Sequence, residues 1–199
     1  MQKANMTLFR NHYLNVCCFL SLIFGHQVLA QDNWHVNKID ASLLTDTDVV
    51  IRLSEKYWEI ESKGQAKYVH RQVITILNEA GENKYGESLV RYDKFTKIAT
   101  MEGFFYDQSG KLLKKIKKSD IQDFSYGIGG DEITDGRMKL MGFGKKNHAY
   151  PYTIEYVYEV KDKNLMFYPQ WSPASESRAS VEKSTYTIKA PAGFQFKYK

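Results

Sequence analysis

Catalysis needs a nucleophile, a set of converging metal ligands or a pair of tuned acids, and this 199-residue chain offers few of each. Its two cysteines, Cys17 and Cys18, are adjacent in the apolar run "VCCFLSLIFG". No thiol follows them, so a thiolate–histidine mechanism has no nucleophile in the remaining chain. A serine nucleophile on a Gly-x-Ser-x-Gly elbow is also missing. His35, His70 and His148 lie far apart, with no His-x-His or His-x3-His spacing, and each is expected at a surface or a strand edge, away from any metal. "GGDEITDG" places the hard oxygen donors Asp131, Glu132 and Asp135 in a glycine-rich stretch. Their spacing departs from the helix–loop–helix calcium pattern, and a solvated acidic loop is the expectation. "GFGKKN" lacks both the leading glycine spacing and the hydroxyl residue of a phosphate loop. The chain therefore reads as noncatalytic, with no cofactor.

Binding chemistry is better represented. "YPYTIEYVYEV", residues 150–160, carries four tyrosines. In a strand, Tyr150, Tyr152, Ile154, Tyr156, Tyr158 and Val160 share one face, and Pro151, Thr153, Glu155, Val157 and Glu159 share the other. The first face is expected in the core. Glu155 and Glu159 fit a solvated face, although a two-carboxylate glycosidase would also need such neighbours. A stacking platform for a glycan or peptide would draw on Trp58 and Trp171. "KLLKKIKK" has five lysines in eight residues, with Leu112, Leu113 and Ile116 between them. That mixture suits a strand edge protected by charge, or contact with acidic envelope polymers or lipid head groups.

The elements that must position these residues are mainly strands. "DVVIRL" alternates, and the apolar series then moves to even positions at Trp58 and Ile60, which requires a bulge or break near 54–56. "ESKGQ" supplies a turn before the β-branched run "YVHRQVITIL". "NEAGENKYG" reads as a loop. "KIATMEGFFYD" has apolar residues on both faces, as a central strand does, with Ile98, Phe104 and Tyr106 expected together and Ala99, Met101 and Phe105 opposite. "SDIQ" matches a capping box, predicting a short helix from Ser119. Strands are also expected in "SVEKSTYTIKA" and "FQFKYK". The fold class expected is all-β and mainly antiparallel, a β-sandwich-like domain or open barrel with at most one or two short helices.

Residues 1–30 have the form of a secretory signal peptide, with Lys3 and Arg10 ahead of the apolar run and small residues before a cleavage site between Ala30 and Gln31. The apolar run falls short of the roughly 20 residues that span a bilayer, so no transmembrane span is expected in the mature chain. The organisation expected is signal peptide 1–30, lead-in 31–47 and one domain 48–199. The full chain carries 28 basic and 23 acidic residues. Two basic residues fall in the signal segment, leaving 28 − 2 = 26 against 23, a balance of +3 that calls for no nucleic acid.

The order "HRQVITILNEAGENKYGE", "DQSGKLLKKIKKSDIQDFS", "TDGRMKL", "YPYTIEYVYEV" and "PQWSP" resembles the bacterial domain of unknown function 3857, from about Asp48 to Lys199. The resemblance implies an exported β-sandwich-like domain, periplasmic or at the cell surface of a Gram-negative bacterium. In that family a transglutaminase-like domain with a Cys-His-Asp triad usually follows. No triad residue carries over, because the matched region precedes it. The function implied is to position or present substrate for that neighbour; the alternative is an independent glycan- or peptide-binding module of the envelope.

Overall fold

The computed structural model describes residues 34–125, 135–144, 149–163 and 170–195. The expected signal peptide with its Ala30–Gln31 cleavage site, the donors Asp131 and Glu132, His148, and most of "FQFKYK" lie outside them. Among these residues ten strands and one α-helix follow in order: β1 (Val49–Ser62), β2 (Gln65–Ile76), α1 (Glu79–Tyr85), β3 (Glu87–Tyr92), β4 (Thr96–Tyr106), β5 (Leu112–Lys115), β6 (Gln122–Ser125), β7 (Arg137–Gly142), β8 (Tyr152–Asp162), β9 (Ala179–Val181) and β10 (Ser184–Lys189). They form two sheets. The larger runs β10-β1-β2-β8-β4-β5, with β9 also paired to β1; the smaller is β3-β7-β6. All pairings are antiparallel except those of β9 and β10 with β1. The large sheet does not close on itself, so the class is an open, sandwich-like all-β fold.

The phase change in β1 comes slightly earlier than the sequence suggests. Ile51 pairs with Ile74 and Leu53 with Val73, so Arg52 is the extra residue of the bulge. That single residue moves Trp58 and Ile60 onto the face already occupied by Val49 and Ile51. β4 uses the same device: its register shifts between Ile98 and Thr100. Ile98 therefore joins Met101 and Phe105 opposite Phe104 and Tyr106, which corrects the simple alternation expected there. β4 lies between β8 and β5, as expected of a central strand.

One face of the large sheet carries the main core, in which Val49, Ile51, Ile74, Ile76, Phe105, Tyr152, Ile154 and Tyr156 pack against Tyr85 of α1 and Met141 of β7. The tyrosine stripe is core: Tyr152 and Tyr156 are buried and Tyr158 is half-buried. The Tyr156 hydroxyl donates to the Gly86 carbonyl at 2.5 Å, which satisfies a polar tip among apolar neighbours.

Helix α1 occupies the stretch read as a loop. Asn78 caps it by accepting from the Gly81 amide at 3.0 Å, and Glu79 and Glu82 sit in its first turn, where the helix dipole favours acids. Gly81 is needed for close approach, since a Cβ there would lie 2.3 Å from the Asp48 carbonyl oxygen. Conversely, Ser119 starts no α-helix. It lies in a three-residue 3-10 turn, and Gln122, the would-be capping partner, enters β6. "SVEKSTYTIKA" splits into β9 and β10. The lead-in is packed: two 3-10 turns, Val36–Lys38 and Ala41–Leu44, accompany the burial of Trp34 and Ile39.

Candidate functional site

A cleft of about 430 Å³ opens between β4 and β5 of the large sheet and β6 and β7 of the small one. Its volume is within the range of small-ligand sites, roughly 300–1,000 Å³. Ile98, Met101, Ile116 and Ile121 supply an apolar lining. Gly103 makes room for this arrangement, because a Cβ there would sit 2.5 Å from Ile116 Cδ1. The polar lining is mostly cationic, with Lys115, Lys118 and Lys139 against Glu102 and Asp123.

Two of those lysines are already paired. Lys115 Nζ lies 2.7 Å from Glu102 and 4.9 Å from the centre of the Phe104 ring. Lys139 lies 3.9 Å from Asp123, whose carboxylate also takes Arg137 at 3.0 Å and the Tyr92 hydroxyl at 2.8 Å. Donation from Tyr92, reinforced by Arg137, holds the Asp123 carboxyl below its usual range. Among the described residues Lys118 has no ion-pair partner. The cleft thus combines an apolar floor with one available cation, a combination that suits an apolar group ending in a carboxylate.

The opposite face of the large sheet differs from the solvated surface expected for Glu155 and Glu159. Glu155 is buried; its carboxylate accepts from Arg71 Nε and from the Tyr106 hydroxyl, each at 2.7 Å. Trp34 of the lead-in covers this region, with the Arg52 and Arg71 guanidinium groups 5.7 and 5.8 Å from its ring centre. Arg52 is ion-paired to Glu182. Glu159 remains half-buried four residues along β8 and does not join this network. The two carboxylates therefore occupy different surroundings, and Glu155 is committed to a structural contact.

The two tryptophans are likewise separated by depth. Trp58 is 1% exposed and packs with Ile60 and Ala66, so it offers a ligand no surface. Trp171 is half-buried, stacked on Tyr186 at 5.5 Å and edge-on to His70 at 6.2 Å. His70 corrects a further expectation. β2 is an interior strand, and His70 is half-buried within it, 2.9 Å from the Tyr158 hydroxyl and 3.4 Å from Ser54 Oγ. Burial, with the Lys56 ammonium nearby, pushes the imidazole down to about 4. His35 accepts from the Asn37 amide at 3.1 Å and caps the first 3-10 turn. Asp135 is exposed. Among the described residues no three His, Cys, Asp or Glu side chains are placed to hold a metal. None of their helices is long and apolar enough to cross a membrane.

The His70 environment gives a defined pH dependence. An unfolded chain protonates this histidine near 6.5, whereas the folded one resists until about 4. Between those values the unfolded state binds the extra proton, so stability falls as pH drops through the window and levels off below it. The expected loss, discounted for partial exposure, is about 2 kcal/mol. Urea unfolding at pH 7.5 and 4.5 measures it, and His70→Gln should remove most of that difference.

These elements define a class, the open two-sheet β domain with a ligand-sized cleft between its sheets. A family model for the domain of unknown function DUF3857 matches residues 62–199, and the chain belongs to that family. No curated protein matches the chain. Among solved structures, a crystal structure described as a "putative protease" from Parabacteroides distasonis ATCC 8503 is similar, with a TM-score of 0.58 and 16% identity. The match covers 73% of this chain and 29% of that one, and a likeness this distant concerns the fold alone.

No local pattern in the sequence marks the cleft. Its lining comes from four strands and the β5–β6 connection, and its one local sign is the lysine-rich run at β5, expected as a protected edge. That reading agrees with β5 as an edge strand whose four residues are exposed. Lys115 and Lys118 from the same run also line the cleft.

Proposed function

We propose that this chain is a noncatalytic β-domain of an exported bacterial envelope protein that holds a peptide segment in the inter-sheet cleft and presents it to a neighbouring transglutaminase-like domain. The cleft carries the reading. It is large enough for one or two side chains, apolar at its floor and open to a cation at Lys118. Family membership supports the fold on which this reading is built, and the chain spans 29% of the length of the solved structure it resembles. The alternative of an independent glycan- or peptide-binding module draws on the half-buried ring of Trp171. That ring already stacks on Tyr186, which leaves it less surface than the cleft provides.

The test is selection from a random peptide library on the purified protein. Enriched sequences should place an acidic residue beside a large apolar one, and Lys118→Glu should weaken their binding about tenfold, the effect of losing one charged contact. Enrichment without acidic residues, or indifference to Lys118→Glu, would count against the cleft.

A further inference from the structure

We infer that the basic end of the large sheet is a docking surface for an anionic lipid membrane. At this end β1, β8 and β10 finish while β2 and β4 begin. The register there sets Lys189, Glu59, Lys67, Lys161 and Lys97 opposite one another across five strands. All five belong to the sheet face opposite the main core. Adjacent strands lie about 4.8 Å apart, and like charges directly opposite each other destabilise a sheet. Glu59 offsets part of this, lying 2.8 Å from Lys189 and 3.1 Å from Lys67. Glu61 adds a contact to Lys67 at 3.4 Å. Lys161 and Lys97 are exposed, and among the described residues neither has an ion-pair partner.

The connections at the same end extend the patch. Lys63 lies in the β1–β2 turn, Lys94 in the β3–β4 connection and Lys163 just beyond β8, all exposed. Phe95 stands among them 46% exposed, with Lys94 Nζ 5.1 Å from its ring centre. The Lys163 amide donates to the Phe95 carbonyl at 2.9 Å, tying this aromatic to the end of β8. Acidic residues near this end are Glu59, Glu61, Asp93, Asp162 and Glu159, of which Glu59 and Glu61 are engaged by lysines and Asp93 accepts from the Phe95 and Thr96 amides. Lysines spread over both a strand face and the turns at its end form a broad basic surface and not a single row. A planar array of anionic head groups can meet them together, while the exposed phenyl ring enters the interfacial layer. A soluble polyanion laid along the lysine row would have no use for Phe95.

Sedimentation of the purified protein with vesicles tests this directly. Vesicles of equal parts phosphatidylglycerol and phosphatidylcholine should carry the protein down, pure phosphatidylcholine vesicles should not, and about 1 M salt should release it. Each lysine near an anionic surface is worth about fivefold in partitioning and a glutamate in its place repels by a similar factor, so reversing two, Lys97→Glu with Lys161→Glu, should lower it on the order of 600-fold. Both side chains are exposed, and the melting temperature should stay close to that of the parent. Phe95→Ser should reduce vesicle binding about tenfold. The inference is overturned if anionic vesicles fail to bind at low salt, or if the double reversal leaves binding intact. It is overturned equally if dextran sulfate binds while vesicles do not and Phe95→Ser has no effect. None of these outcomes bears on peptide binding in the cleft.

Discussion

Trp58→Ala should lower the unfolding free energy by about 3–5 kcal/mol, the range for truncating a fully buried aromatic side chain. Trp58 sits on β1 between two neighbouring strands, opposite Tyr68 on β2 and Ile188 on β10. It packs with Ile60 and Ala66 beneath the partly buried Tyr68, Tyr186, Ala190 and Phe194. Truncation removes the shared contact of β1, β2 and β10 and leaves a cavity whose collapse is opposed by the backbone ladder on both sides. Small domains are stable by only about 5–15 kcal/mol, so the variant should unfold at a markedly lower urea concentration. A variant of parental stability that had lost binding to an envelope glycan would instead place Trp58 on a ligand surface.

The second large effect is expected at Glu155. Glu155→Ala should cost about 3 kcal/mol, because it strips both Arg71 and the Tyr106 hydroxyl of a shared acceptor beneath Trp34. The penalty comes mainly from the groups left behind. Replacing the pair together, Arg71→Met with Glu155→Leu, should therefore cost less than Glu155→Ala alone. Chemical denaturation of the single and paired variants gives the comparison. A paired variant as unstable as the sum of the two single ones would show that the ion pair is not the unit that matters.

Much of this architecture is written locally. The tyrosine stripe has a strict period of two, and its apolar members face the main core. The change of phase in β1 is visible as Trp58 and Ile60 on even positions, and one bulge residue, Arg52, accounts for it. Helix α1 was harder to recognise because it is seven residues long and contains Gly81, which reads as loop composition. Its real signals were Asn78 as a cap and two glutamates in the first turn. The burial of Glu155 had no local signal at all. Its cover, Trp34, is more than a hundred residues away, and nothing in the alternation of β8 distinguishes a carboxylate under a tryptophan from one in water. The same holds for His70, whose interior position follows from β2 pairing with the distant β8, and for the cleft, whose lining is assembled from both sheets.

The most direct measurement for the proposed role is the affinity of a library-selected acidic–apolar peptide for the parent protein and for Ala99→Trp. Ala99 is exposed at the β4 irregularity and lines the cleft, so an indole there should fill the site while leaving the core undisturbed. The cleft reading predicts at least about a tenfold loss of affinity with an unchanged melting temperature. Equal affinity for both proteins would contradict it and place the peptide elsewhere on the domain.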